Sequence, residues 1–191
     1  IPCARSKSNE ETGWTRILLE KPFGSDLDNA LRLDKMLGKL FSESQIFRID
    51  HYLAKETVQN ILAFRFANAL FEPVWNNKYI DRVEIKLFEK GGVGTRGASY
   101  EAVGALRDVG QNHVLQLLAL SAMENPVSST AEAFRNKRAD VLAKFKLATG
   151  KGALAIRAQY EDYRNENGVS QNSETETYFK VQLALNNRRF K

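Results

Sequence analysis

The chain of 191 residues holds one cysteine, Cys3, two histidines, two tryptophans and four prolines, and it does not begin with methionine. A lone cysteine cannot build a disulfide framework within the chain, which suits a reducing compartment and sets the expectation of a cytoplasmic protein. Nowhere are there the ~20 consecutive apolar residues that a membrane-spanning helix needs, and Ser121 interrupts even the apolar stretch Leu115–Ala122. A spanning helix is excluded. Ile1-Pro2-Cys3 carries neither a basic segment nor the apolar core of a signal peptide, so the chain is expected to be processed or to be a piece of something longer. With so little histidine and cysteine, no metal site is expected.

What is present is ordinary for a globular domain: 43% hydrophobic and 27% charged residues, enough for one sizeable core. The net charge of +5 could suit a polyanion, yet the basic residues are scattered among 23 acidic ones. Only Arg135–Arg138 and Arg188-Arg189 cluster, and such clusters read as solvated faces. No stripe of stacking aromatics accompanies them, so a nucleic-acid partner is a weak alternative.

Residues 3–13 are polar and predict a surface loop or frayed helix. Arg16–Glu20 has the length and apolar run of a buried strand, closed by Pro22 and Gly24. Ser25 followed by Asp28 fits a helix N-cap, and Leu27, Ala30, Leu31, Leu37, Leu40 and Phe41 recur at helical spacing. A second helix is predicted over 55–70, its stripe formed by Val58, Ile61, Leu62, Phe66 and Leu70. From Ile80 the period becomes two, predicting a half-buried strand whose inward series Val83, Ile85, Leu87 ends on Glu89. An acid at an inward position needs a partner or a job, or else marks where the strand reaches solvent.

Five glycines between 91 and 104 make a loop, but no Gly-Lys-Ser/Thr follows and a phosphate loop is not expected. The next helix, predicted over 106–123, is apolar nearly all round in its later part, with Asp108, Asn112, His113 and Gln116 near its start. At ~100° per residue these polar residues fill a wedge of about 140° and could converge on one pocket. Ser129–Glu132 fits a capping box for a helix reaching about Lys146, and two antiparallel strands finish the chain. Leu154, Ile156, Ala158 and Tyr160 share one face of the first and Phe179, Val181, Leu183 and Leu185 one face of the second, with the polar loop 161–176 between them.

Both histidines stand in polar company: His51 in Arg48-Ile49-Asp50-His51-Tyr52-Leu53-Ala54-Lys55, and His113 in Arg107-Asp108-Val109-Gly110-Gln111-Asn112-His113. His51, Tyr52 and Lys55 offer donors that could bind a phosphate dianion through charge-assisted hydrogen bonds. Asp50 would repel that anion and more plausibly faces a different group, such as a catalytic imidazole.

These segments, with Glu20-Lys21-Pro22-Phe23-Gly24 and Arg65-Phe66-Ala67-Asn68, resemble in order and spacing the motifs of the glucose-6-phosphate dehydrogenase family. The resemblance is strongest from Ile17 to Pro126. It implies an α+β fold: residues 1–50 as the remnant of a Rossmann-like NADP-binding domain, and 51–191 as an incomplete substrate-binding and catalytic domain with a largely antiparallel sheet. It also implies oxidation of glucose 6-phosphate at C1, with hydride transfer to NADP or, as an alternative, NAD. His113 would be the general base, a role to which histidine's ordinary pKa is well matched. Asp50 would orient it, as the carboxylate of a hydrolase triad does.

By the same resemblance His51, Tyr52 and Lys55 would hold the 6-phosphate, and Glu89 and Asp108 would accept bonds from sugar hydroxyls. Glu89 stands nineteen residues before Asp108, as the family carboxylate does. Lys21 would touch both substrate and coenzyme, beside Pro22 as a cis proline at the coenzyme site. A homo-oligomer built through the sheet is implied for the full-length protein. Two departures qualify this: no glycine-rich coenzyme turn precedes Ile17, and the loop after Tyr160 is short and acidic, with Arg164 as its one candidate cation. A sugar-phosphate-binding fragment without redox activity therefore stands as the alternative.

Overall fold

The computed structural model describes residues 14–150 and 153–190, so the expected loop over 3–13 lies outside the described residues. Internal contacts divide the chain into two compact units, Ile1–His51 and Tyr52–Lys191.

In the first unit, strand β1 (Ile17–Leu19) is followed by helix α1 (Leu27–Leu40) and strand β2 (Ile46–Arg48). β1 and β2 pair in parallel from Ile17↔Ile46 to Leu19↔Arg48, with α1 as the crossover such pairing requires. The helix cap is Asp26 rather than Ser25: Asp26 accepts from the Asn29 N–H at 2.8 Å, while the Ser25 hydroxyl donates to the same carboxylate. The Asn29 bond, then Ser25, draws the Asp26 carboxyl below its usual range. Only Leu37 of the expected stripe is buried, whereas Leu27, Leu31 and Leu40 are exposed. The dimensions explain this: strands of three residues span ~10 Å, too short to cover a helix of fourteen that runs ~21 Å. The Lys21–Pro22 peptide is cis.

The second unit opens with a 3₁₀ turn (His51–Ala54) and helix α2 (Glu56–Phe66). The helix stops short of residue 70 because the Asn68 side chain captures the Leu70 N–H at 3.2 Å, an acceptor that competes with helix continuation. Leu70 is consequently 78% exposed. The expected strand over 80–89 joins no ladder. Ile85 and Leu87 are half-buried and Glu84 and Lys86 exposed, so the alternation is real, but without a neighbouring strand it yields no strand pairing and Glu89 is exposed.

Helix α3 (Gly97–Glu101) leads to a π-helical segment (Leu106–Val114) that continues as helix α4 (Leu115–Ala122). The predicted single helix is thus continuous but wound more widely over its polar first half. Helix α5 (Ala131–Leu142) is capped by Thr130, not Ser129, and ends four residues earlier than expected, leaving Phe145–Leu147 as strand β3. The core is Val58, Ala119, Leu120, Ala122, Met123 and Val141, where α2 and α5 meet α4.

Strand β4 (Ala155–Ala158) pairs antiparallel with β5 (Tyr178–Val181), as the alternation predicts, and β6 (Leu183–Leu185) pairs antiparallel with β3. Gln182 divides the last segment, donating to Leu154 O at 2.9 Å and accepting from the Ala148 N–H at 3.0 Å.

Arg189, expected on a solvated face, instead reaches Glu72 and Glu124 at 2.7 Å each. Its bond to Glu124, outweighing burial, holds that carboxyl below the usual 4.5. A depressed folded-state pKa adds stability above about pH 4.5 and loses it as pH falls through the folded value. With the carboxylate 47% exposed, the effect is under ~1 kcal/mol. Glu124→Gln should therefore unfold slightly earlier than the parent at neutral pH, with midpoints converging as pH falls through the lowered folded value; a gap that persists in strong acid would remove Glu124 as the titrating group.

Candidate active site

The second unit brings Tyr52, Lys55 and His113 together. His113 lies in the π-helical segment and is 2% exposed, with the Tyr52 ring stacked on it at 4.2 Å between centroids and 17° between planes. The Lys55 ammonium sits 3.5 Å from the Tyr52 ring centre, a cation–π contact. Imidazole and ammonium thus both contact the Tyr52 ring, which the 3₁₀ turn presents, with Lys55 standing at the N-cap of α2.

The helix carrying His113 is internally braced. The Asn112 amide donates to Asp108 O at 2.9 Å, and Asn112 Oδ1 accepts from the His113 N–H at 2.6 Å. π-Helical turns are rare and concentrate at functional sites, because the wider turn re-aims side chains that a regular helix would spread apart. Asp108 lies 3.6 Å from the Arg96 guanidinium. Tyr100 is pushed up to about 12, first by burial and then by the charges of Asp108 and Glu176, with Glu89 contributing. Gln116 accepts at Oε1 from Arg138 at 3.0 Å. Arg164 is likewise occupied, donating to Gln159 at 3.2 Å.

In the first unit, Lys21 and Asp50 each stand two residues beyond paired partners, Leu19 and Arg48, at the carboxyl ends of parallel strands. The Ile49 N–H extends that pairing to Leu19 O at 2.7 Å. Open α/β sheets receive ligands at such strand ends. Asp50 is half-buried, with Oδ2 shielded from solvent, and His51 is exposed.

Sequence reasoning gave no role to Arg65, the fully buried guanidinium that donates to Leu120 O and Met123 O at 2.7 and 2.8 Å. The signal was available: Arg65 follows Val58, Ile61 and Leu62 at stripe spacing, so a cation stood on the apolar face. Also unanticipated are Glu101, which accepts from the Tyr163 hydroxyl and from Ser173 at 2.8 Å each, and the buried Glu176. Burial, then Glu101, pushes the Tyr163 phenol far up. No periodicity marks these positions: Glu101 falls in the glycine-rich stretch read as a loop, and Glu176 in the loop 161–176 read as merely polar.

Residues 62–191 match the family model described as glucose-6-phosphate dehydrogenase, C-terminal domain, and residues 3–60 match that of its NAD binding domain. Glucose-6-phosphate 1-dehydrogenase 2 of Mycobacterium tuberculosis is 45% identical over 93% of this chain and 36% of its own length. The cytoplasmic glucose-6-phosphate 1-dehydrogenase 6 of Arabidopsis thaliana is 44% identical over 98% of this chain and 36% of its own. A glucose-6-phosphate dehydrogenase solved in complex with its substrate glucose 6-phosphate superposes with a TM-score of 0.85 at 36% identity, over 95% of this chain and 39% of that one. The enzyme from Mycobacterium avium gives 0.83 at 39% identity, over 91% and 39%. The chain spans less than two fifths of the length of these relatives. With both domain models matched in succession and the fold shared, the chain belongs to the glucose-6-phosphate dehydrogenase family.

Proposed function

We propose that this chain is the central part of an enzyme that oxidises glucose 6-phosphate at C1 to the 6-phosphogluconolactone, the first step of the oxidative pentose phosphate pathway. The observation that carries the reading is the buried His113 imidazole stacked on Tyr52, with the Lys55 ammonium 3.5 Å from the centre of that same ring. His113 takes the proton of the C1 hydroxyl as general base, and the family motif assigns Asp50 to orient it and balance the imidazolium. His51, Tyr52 and Lys55 bind the 6-phosphate, while Asp108 and Glu89 accept bonds from sugar hydroxyls. As the hydroxyl proton goes to His113, the C1–H electron pair leaves as hydride and C1 becomes the lactone carbonyl.

The parallel pair β1–β2, with Lys21 and Pro22 following β1, suits a dinucleotide at its carboxyl ends. NADP, when bound there, supplies the hydride acceptor. Lys21 can touch coenzyme and substrate, and residues 1–50 and 51–191 are then the coenzyme and substrate parts. A homo-oligomer formed through the sheet is consistent with Ile156 and Tyr178, which β4 and β5 leave exposed. The cytoplasmic naming of the plant relative supports the same setting for this protein.

A full-length enzyme carrying this sequence should reduce NADP when given glucose 6-phosphate. In it, Lys55→Ala should raise KM for glucose 6-phosphate by about 10- to 100-fold, the cost of a lost charged hydrogen bond. Absence of reduction would sink the assignment, and an unchanged KM would remove Lys55 from the phosphate site.

A further inference from the structure

The helix that bears His113 begins against the sheet, at a carboxylate no motif singles out. Glu176 stands two residues before strand β5 and is 8% exposed. Its Oε1 accepts from the Leu106 N–H at 3.1 Å, at the first residue of the π-helical segment. That N–H belongs to the opening turn of a helix, where backbone donors have no partner within the helix and a negative charge is favoured. The Glu176 carbonyl accepts from the Ala105 N–H at 2.9 Å and the Tyr100 hydroxyl at 3.3 Å. One residue thus holds two consecutive amides of the helix start.

Glu176 is itself fixed from both sides. The Thr177 N–H donates to Ala158 O at 2.9 Å, the Thr175 hydroxyl donates to Glu101 O at 2.7 Å, and Gln159 Nε2 donates to Thr175 O at 2.9 Å. The approach leaves no slack. Gly104 has φ +75°, and a Cβ there would lie 2.6 Å from a Glu176 carboxylate oxygen. Three residues on from Glu176, in β5, the Phe179 ring comes so close to Gly110 that a Cβ would meet it at 2.7 Å. Contacts at Leu106 and Gly110 set both the axial position and the rotation of the segment, and His113 follows Gly110 by three residues.

We propose that Glu176 is a positioning residue for the reaction: its buried carboxylate sets the helix start and so the placement of the His113 imidazole. The inference rests on the assignment of His113 as the base. A misplacement of about 1 Å at a reacting group costs on the order of 10²-fold, so a residue remote from the substrate can act on turnover.

The test is a mutant cycle in a full-length enzyme carrying this sequence, with kcat, KM and thermal unfolding measured for each variant. Glu176→Ala should lower kcat by about 10- to 100-fold with KM for glucose 6-phosphate within about threefold. Glu176→Gln, which retains an oxygen acceptor at the same reach, should stay within about threefold of the parent. Glu176→Asp keeps the charge but is one methylene too short, and should fail as alanine does; it serves if the alanine variant does not fold. Combined with His113→Ala, neither the alanine nor the aspartate substitution should lower the residual rate further, because a residue acting only through the imidazole has nothing left to act on. Parental kcat in both single variants, a loss carried wholly by KM, or an equal loss in both backgrounds would overturn the role of Glu176. Near-normal turnover of His113→Ala alone would overturn the base assignment instead.

Discussion

Replacing His113 by alanine in a full-length enzyme carrying this sequence should lower kcat by about 10²–10⁴, the usual contribution of a positioned general base. The effect should fall on kcat and kcat/KM alike, since proton removal from the C1 hydroxyl belongs to the transition state. KM should move little. The groups assigned to the phosphate, Tyr52 and Lys55 among them, lie on the 3₁₀ turn and the N-cap of α2, not on the helix that carries the imidazole. Two controls separate chemistry from damage. The ring is 2% exposed and stacked on Tyr52, so its loss leaves a cavity and some loss of stability is expected, to be read from the unfolding midpoint. His113→Asn fills more of that space without offering a base, and should lose as much turnover while unfolding closer to the parent. Turnover within tenfold of the parent in both variants would remove His113 from proton transfer.

Much of this was legible in the sequence, for physical reasons that differ by element. β1 announced itself as an apolar run of strand length, α1 and α2 by one period kept over several residues, and the β4–β5 pairing by two alternating segments joined by a polar loop. Competing side-chain bonds shifted the boundaries: the Asp26 carboxylate took the cap from Ser25, and Asn68 ended α2 before Leu70. The strand over 80–89 failed because alternation reports which side of a chain is apolar, not whether a neighbour exists to pair with it. The site residues of the second unit could be named from local motifs, but the gathering of Lys55 and His113 on the Tyr52 ring depends on a turn and a π-wound segment meeting. Periodicity does not encode such a meeting. Glu176 and Glu101 were out of reach for a related reason: their partners lie about seventy residues away in the chain.

Arg65→Met should cost about 3–5 kcal/mol of stability, the largest such loss expected of a single change here. The guanidinium closes the C-terminal end of α4, where the last carbonyls of a helix lack partners and the dipole is negative. It donates to Leu120 O and Met123 O, reaches Glu72 at 3.4 Å, and lies 4.5 Å from the Phe66 ring centre. Burial pushes it down to about 10, partly offset by Glu72, so the cation is retained at neutral pH. Methionine would fill the volume but strand two buried carbonyls at ~1–3 kcal/mol each. Glu72 would still hold Arg189 at 2.7 Å, which limits the damage on that side. Arg65→Lys should fall between, because one ammonium cannot reproduce the planar fork that serves both carbonyls. Denaturant unfolding reads the difference, and a methionine variant within about 1 kcal/mol of the parent would mean that desolvation cancels the bonds. With the expected losses, the helix running from Leu106 to Ala122 has two ends with separable effects. At the start, Glu176 variants alter turnover with little change in KM; at the finish, Arg65 variants alter unfolding while the protein that remains folded turns over at the parental rate.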